Sequence, residues 1–144
     1  MLNQQPMNIS LDQTLQMMTR AGIRPSAQRI AVLRYVAESK AHPTVDAIFS
    51  ALSPEFPSLS RTTVYNSVHA LSEAGLLREL DIEAGAKHYD LRPQPRHGHF
   101  RCRRCGAILD IPYPAELRLA EVGDLEVDEV DVYAYGLCPR CKNK

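Results

Sequence analysis

The sequence predicts an α+β protein, with an N-terminal winged helix-turn-helix domain followed by a small α/β domain built around a four-cysteine zinc site. Three observations predict it. Four amphipathic segments, opened by Ser, Thr or Pro and closed by Gly or Pro, occupy residues 10–75. Two short strand-like runs follow on either side of a turn containing Gly85. Two CxxC pairs, Cys102/Cys105 and Cys138/Cys141, stand in the last third of the chain.

Ser10 is a good N-cap for a first helix that places Leu11, Leu15 and Met18 on one face and ends near Gly22. Pro25 and Ser26 open a second, in which Ile30, Leu33 and Ala37 recur at three- and four-residue steps while Gln28, Arg29 and Arg34 face outward. His42 and Pro43 break that pattern. Thr44 caps a third helix that buries Val45, Ile48, Phe49 and Leu52 and stops in the stretch from Ser53 to Pro57. Ser60 caps a fourth, with Val64, Val68 and Leu71 inward, Arg61, Thr63, Asn66 and His69 outward, Tyr65 near the boundary, and Gly75 at its end.

The strand-like runs are Leu76 to Asp81 and Ala86 to Leu91. Helices followed by such a hairpin suggest a winged helix, whose last helix enters the DNA major groove while the hairpin lies beside the phosphates. Pro93 and Pro95 make Arg92 to Arg96 a stiff hinge that cannot continue a sheet. The expected division is therefore residues 1–91, a hinge at 92–96, and 97–144. Within the second domain, His99 to Cys102, Ala107 to Ile111 and Val127 to Tyr135 read as strands and Pro114 to Val122 as a short helix.

Composition constrains the class. At 144 residues each of two domains is small enough that a staple or a partner chain is expected. The 17 Lys and Arg balance 17 Asp and Glu, so no broad basic field exists, although Arg20, Arg24, Arg29 and Arg34 cluster near the N-terminus. No apolar run is long enough to cross a bilayer, and Met1 to Ile9 lacks the pattern of a signal peptide. No membrane association and a cytoplasmic location are expected. In that reducing compartment paired cysteines are read as zinc ligands rather than disulfides. A redox-active thiol pair is the competing reading, but no thioredoxin-like βαβ context surrounds either CxxC.

A quartet of thiolates leaves zinc no open position, so Cys102, Cys105, Cys138 and Cys141 are expected to act structurally. A second constellation is less specific. His97 and His99 would project from the same face of a strand, and Asp90, Asp110 and His42 are further candidate ligands. Each also fits an ordinary turn, strand or loop position, and spacing alone does not unite them. His88 fits either a further metal site or an exposed strand histidine.

The runs RPSAQRIAVL from Arg24, HPTVDAIF from His42, SRTTVYNSVHALSEAGLL from Ser60 and HGHFRCRRCGAILDI from His97, with the terminal CxxC, closely resemble the ferric uptake regulator (Fur) family. The resemblance covers nearly the whole chain. It implies a metal-dependent transcriptional repressor, not an enzyme, that binds a palindromic double-stranded operator as a homodimer through a C-terminal dimerisation domain. It also implies a regulatory metal between the domains on His42, Asp90, His97, His99 and Asp110. Three histidines with two aspartates, and Asn66 after Tyr65, resemble the peroxide-responsive (PerR) branch.

Imidazole and carboxylate ligands suit Fe(II) or Mn(II) in such a site, whereas thiolates select zinc. By the same analogy His42 and His97 are the expected targets of iron-dependent oxidation by hydrogen peroxide. The resemblance places Arg24 near a minor groove and Tyr65 and Asn66 in the major groove, with Arg61, Thr63 and His69 as added candidates for DNA contact. Three other readings are an iron- or manganese-responsive regulator of metal uptake, a metal-dependent hydrolase with a zinc ribbon, and a zinc-ribbon protein that only assembles with partners. No separate nucleophile or general-base arrangement supports the hydrolase.

Overall fold

The computed structural model describes residues 8–39, 41–92, 97–113 and 123–144. Among these, residues up to 92 form one compact unit and those from 97 form a second. The expected hinge, apart from Arg92, and the expected helix from Pro114 to Val122 lie outside the described residues.

The N-terminal unit runs α1 (Leu11–Arg20), α2 (Ala27–Glu38), α3 (Val45–Leu52), α4 (Arg61–Glu73), β1 (Leu77–Glu83) and β2 (Ala86–Leu91). Each helix starts where a hydroxyl can satisfy its open first turn. Ser10, Ser26, Thr44 and Ser60 accept bonds from the amides of Gln13, Arg29, Ala47 and Thr63 at 3.1–3.2 Å. At Ser10 the Gln13 side chain returns the bond at 2.8 Å, completing a capping box.

The apolar faces meet in one core that includes Met18, Leu33, Val36, Ile48, Val64, Val68, Leu71, Leu77, Tyr89 and Leu91. This core holds α4 against both the other helices and the hairpin. Leu11 departs from the expected inward face and is 50% exposed, because α1 instead buries Thr14 and Met18, one turn apart. A polar Thr14 can occupy that row because its hydroxyl donates to the Ser10 carbonyl at 2.8 Å. Ile30, Val45 and Phe49 are half-buried rather than central; Val32 and Val36 fill the corresponding space on α2.

The hairpin is antiparallel, with Leu77 opposite Leu91 and Leu80 opposite His88, and its register shifts between Leu80 and Glu83. β1 begins one residue later than expected because Leu76 is used to close α4. The Leu76 amide reaches back to the Leu71 carbonyl at 2.9 Å and that of Gly75 to Ser72 at 3.0 Å. Gly75 adopts the φ of +79° that this reversal requires.

The C-terminal unit contains β3 (His97–Cys102), β4 (Ile108–Pro112), β5 (Tyr133–Gly136) and the single-turn α5 (Pro139–Lys142). β3 lies between the other two strands, antiparallel to β4 and parallel to β5. β3 starts two residues before the expected His99, and β4 runs one residue later than expected. The third strand is much shorter than the alternation from Val127 suggested. Val132 accepts the His99 amide of β3 at 2.9 Å, but residues 127–131 are not in strand, and period-two patterning makes a strand only where a partner supplies the hydrogen bonds. Replacing Ser60 with Ala should lower stability by about 1 kcal/mol, read by urea unfolding, since it removes the cap of α4.

Candidate metal centres and nucleic-acid interface

The four cysteine sulfurs converge within 4.8 Å of one another. Cys102 ends β3, and the Gly106 amide donates to its carbonyl at 2.9 Å, folding the first knuckle. Cys138 precedes α5, where Pro139 occupies the first turn and brings Cys141 round to the same point. Arg104 from the first knuckle donates to the Cys141 carbonyl at 3.0 Å and ties the two knuckles together. The Cys105 and Cys138 sulfurs are 3.7 Å apart. Tetrahedral zinc with bonds of about 2.3 Å separates its sulfurs by about 3.8 Å. The four cysteines are thus positioned to hold a zinc ion.

Backbone dipoles prepare this site for thiolates. The amides of Cys105 and Cys138 point at Cys102 and lower its thiol to about 5. The Cys141 amide lowers that of Cys138 in the same way, whereas burial raises Cys141 to about 12. Zinc binds thiolates, so an incoming cation displaces whatever protons the quartet still holds.

A second group of donors lies on the same sheet. His97 and His99 are two residues apart on β3, and Asp110 stands directly opposite His99 on β4. The two Nε2 atoms are 3.2 Å apart, and Asp110 Oδ1 is 3.4 Å from one and 3.5 Å from the other. An ion with bonds of about 2.1 Å spaces neighbouring donors by about 3.0–3.4 Å, depending on its geometry. Two edges of the triangle fall in that range and the third, at 3.5 Å, lies just beyond it. His99 is buried and His97 half-buried, and the glycine between them fits a tight space: a Cβ on Gly98 would stand 3.0 Å from the Ile111 side chain and 3.2 Å from the Val132 carbonyl.

In the N-terminal unit, His42 is buried in the loop before α3 with a φ of +51°, the sole non-glycine positive φ among the described residues. Such a conformation costs a non-glycine residue about 1 kcal/mol and is tolerated by histidine more often than by most. β2 braces this loop. His88 Nδ1 lies 2.7 Å from the His42 carbonyl, and the Tyr89 amide donates to the Pro43 carbonyl at 3.0 Å. Asp90, two residues beyond His88, is half-buried and accepts the Leu91 amide at 2.9 Å. Sequence reasoning missed this bracing role of His88, although its spacing from Asp90 already put the two on one strand face.

The outer face of α4 carries Arg61, Tyr65, Asn66 and His69, all exposed, with Tyr65 at 56%. Tyr65 therefore is not a core residue, and its ring stacks on His69 at 6.3 Å. Thr63 is turned toward the cap, its hydroxyl 2.9 Å from that of Ser60. Arg61 donates to Asp46 at 2.8 Å and lies 4.5 Å above the Phe49 ring, which joins α4 to α3. Arg24 is exposed before α2, and its carbonyl accepts from Arg29 at 2.9 Å.

The sequence profile of the ferric uptake regulator family matches residues 20–131. The chain belongs to that family. It is 37% identical over 138 residues to the peroxide-responsive repressor PerR of Staphylococcus aureus strain Mu50, covering 93% of each chain. Among solved structures, PerR from Streptococcus pyogenes, described in terms of peroxide sensing and gene regulation, is 29% identical with a TM-score of 0.53, covering 98% of both chains. The Helicobacter pylori ferric uptake regulator, reported with three functional metal-binding sites, has a TM-score of 0.76 at 21% identity and covers 94% and 95% of the two chains. That last likeness establishes the fold.

Replacing Cys138 with Ser should abolish retention of one zinc per chain, measured by elemental analysis after gel filtration. Adding zinc to the stripped wild-type protein at pH 7 should release protons, measurable in weak buffer, because thiols must ionise to bind.

Proposed function

We propose that the chain is a metal-dependent transcriptional repressor of the peroxide-responsive kind, acting in the cytoplasm as a homodimer on a palindromic double-stranded operator. The observation that carries this reading is the triangle of His97, His99 and Asp110, brought together on β3 and β4 near ligand spacing with His99 buried. The similarity to peroxide-responsive repressors supports it. No helix among the described residues is long and apolar enough to cross a membrane.

In this reading the Cys102–Cys105–Cys138–Cys141 zinc is a permanent strut, and His42, Asp90, His97, His99 and Asp110 hold the regulatory Fe(II) or Mn(II). Nitrogen and carboxylate donors suit those ions and leave thiolate-loving zinc to the cysteines. His42 and Asp90 belong to the unit that carries α4, whereas the other three belong to the unit that carries the cysteines. Ligation by all five would favour one arrangement of the two units. If that arrangement alone fits two half-sites, metal and operator strengthen each other's binding equally.

Bound Fe(II) would supply the one-electron chemistry that opens the O–O bond of hydrogen peroxide beside an imidazole, chemistry that Mn(II) does not supply; over the whole reaction the ring is the reductant. His42 and His97 are the proposed targets. A ring C–H becomes C–OH while one peroxide is consumed and one water released. The altered ring is a poorer ligand, so metal affinity falls and repression ends. On DNA, Tyr65, Asn66 and His69 are the proposed base contacts from α4, Arg24 reaches a minor groove, and Arg61 and Thr63 support the helix from its first turn.

The Fe(II)-loaded protein treated with peroxide should gain one oxygen on a peptide containing His42 or His97, and the Mn(II)-loaded protein should gain none. Oxidation that is absent or confined to cysteines would reduce the reading to a metal-responsive regulator without peroxide sensing. Asp110→Ala should weaken Mn(II)-dependent DNA retention by at least about tenfold, with zinc content unchanged.

A further inference from the structure

We propose that His88 is a positioning residue that sets the affinity of the regulatory metal by fixing the backbone of His42. The inference rests on the reading of His42 as a metal ligand and extends it to a residue outside the ligand set.

His88 lies on β2 with a side chain only 12% exposed, and both of its nitrogens are engaged. Nδ1 is 2.7 Å from the carbonyl oxygen of His42, and Nε2 is 2.7 Å from a carboxylate oxygen of Glu83. A carbonyl oxygen carries no proton, so Nδ1–H is the donor in the first bond. With Nδ1 turned to the His42 carbonyl, only Nε2, beside Glu83, is left for any other partner, so the role proposed for His88 is carried by Nδ1.

The carbonyl it holds belongs to a residue with left-handed backbone, φ +51°. The backbone sets the direction of the Cα–Cβ bond and the rotamers open to the side chain, so the reach of the His42 ring depends on that conformation. Two bonds from β2 support it: His88 holds the carbonyl of His42, and the Tyr89 amide holds that of Pro43. Asp90 follows on the same face of β2 as His88. The two bonds therefore fasten the loop bearing one proposed ligand to the strand bearing another. Without the first, the left-handed backbone of His42 would lose one of its supports and the spacing of the two proposed ligands would be less well fixed.

The two nitrogens can be separated by substitution. In His88→Asn the amide nitrogen stands as many bonds from the backbone as Nδ1 did, so it can still donate to the His42 carbonyl. In His88→Gln the amide lies one carbon further out, toward Glu83. Mn(II) affinity is measured by competition titration on the full zinc-loaded chain, with zinc content and melting temperature confirming that each variant is folded. H88N should bind Mn(II) nearly as the wild type does, whereas H88Q should bind about tenfold more weakly, the scale at which partners of metal ligands act. Equal affinities in the two variants, whether both retained or both lost, would overturn the proposal. His42→Ala separates this from failure of the underlying reading. If H42A loses Mn(II) while H88Q retains it, only the positioning role falls; if H42A binds normally, the ligand assignment falls and the positioning role with it.

Discussion

The register of β3 is the constraint on which the C-terminal unit depends. This strand carries His97 and His99, ends at Cys102, and pairs with neighbours on both sides. Its pairing with β4 puts Asp110 opposite His99, and its pairing with β5 aligns Cys102 with Gly136, two residues before Cys138. A slip of one residue would turn both imidazoles to the other face and carry Cys102 away from its partners. The cysteine quartet resists such a slip, since a metal held by both knuckles fixes the ends of β3 and β5 together. The sites are chemically distinct but share this strand.

The N-terminal unit solves a different problem, that of holding one helix face outward on a rigid support. α4 is capped at Ser60, closed through Gly75 and Leu76, and packed by Val64, Val68 and Leu71, which leaves Tyr65, Asn66 and His69 exposed. Arg61 spends its charge on Asp46 and its guanidinium face on Phe49. Both side chains of the Arg61–Asp46 pair remain largely exposed, so the contact links α4 to α3 only weakly. The loop containing His42 is joined to β2, so a proposed metal ligand is supported by the same hairpin that follows α4.

Much of this was legible in the sequence because its signals are local. The four caps, both closing glycines and the CxxC pairs identify their own structural roles within a few residues. Burial was read less well where a polar residue satisfied its own hydrogen bond, as Thr14 does, or where an apolar one stayed at the rim, as Leu11 does. The alternation after Val127 suggested a strand because periodicity records which faces differ and carries no information about a partner strand. The pairing of His88 with His42 joins residues 46 positions apart, and no local pattern specifies it. The candidate regulatory ligands were united by family resemblance, and the β3–β4 register then supplied a physical reason for three of the five.

The proposed switch treats regulatory metal and operator as ligands of one equilibrium while zinc remains in place. Its most direct test is to measure the Mn(II) affinity of the zinc-loaded protein with and without an operator duplex, and the duplex affinity with and without Mn(II). The account predicts that both affinities rise by the same factor, as thermodynamic reciprocity demands, with zinc retained throughout. Duplex binding that is indifferent to Mn(II), in a protein that binds both, would contradict it.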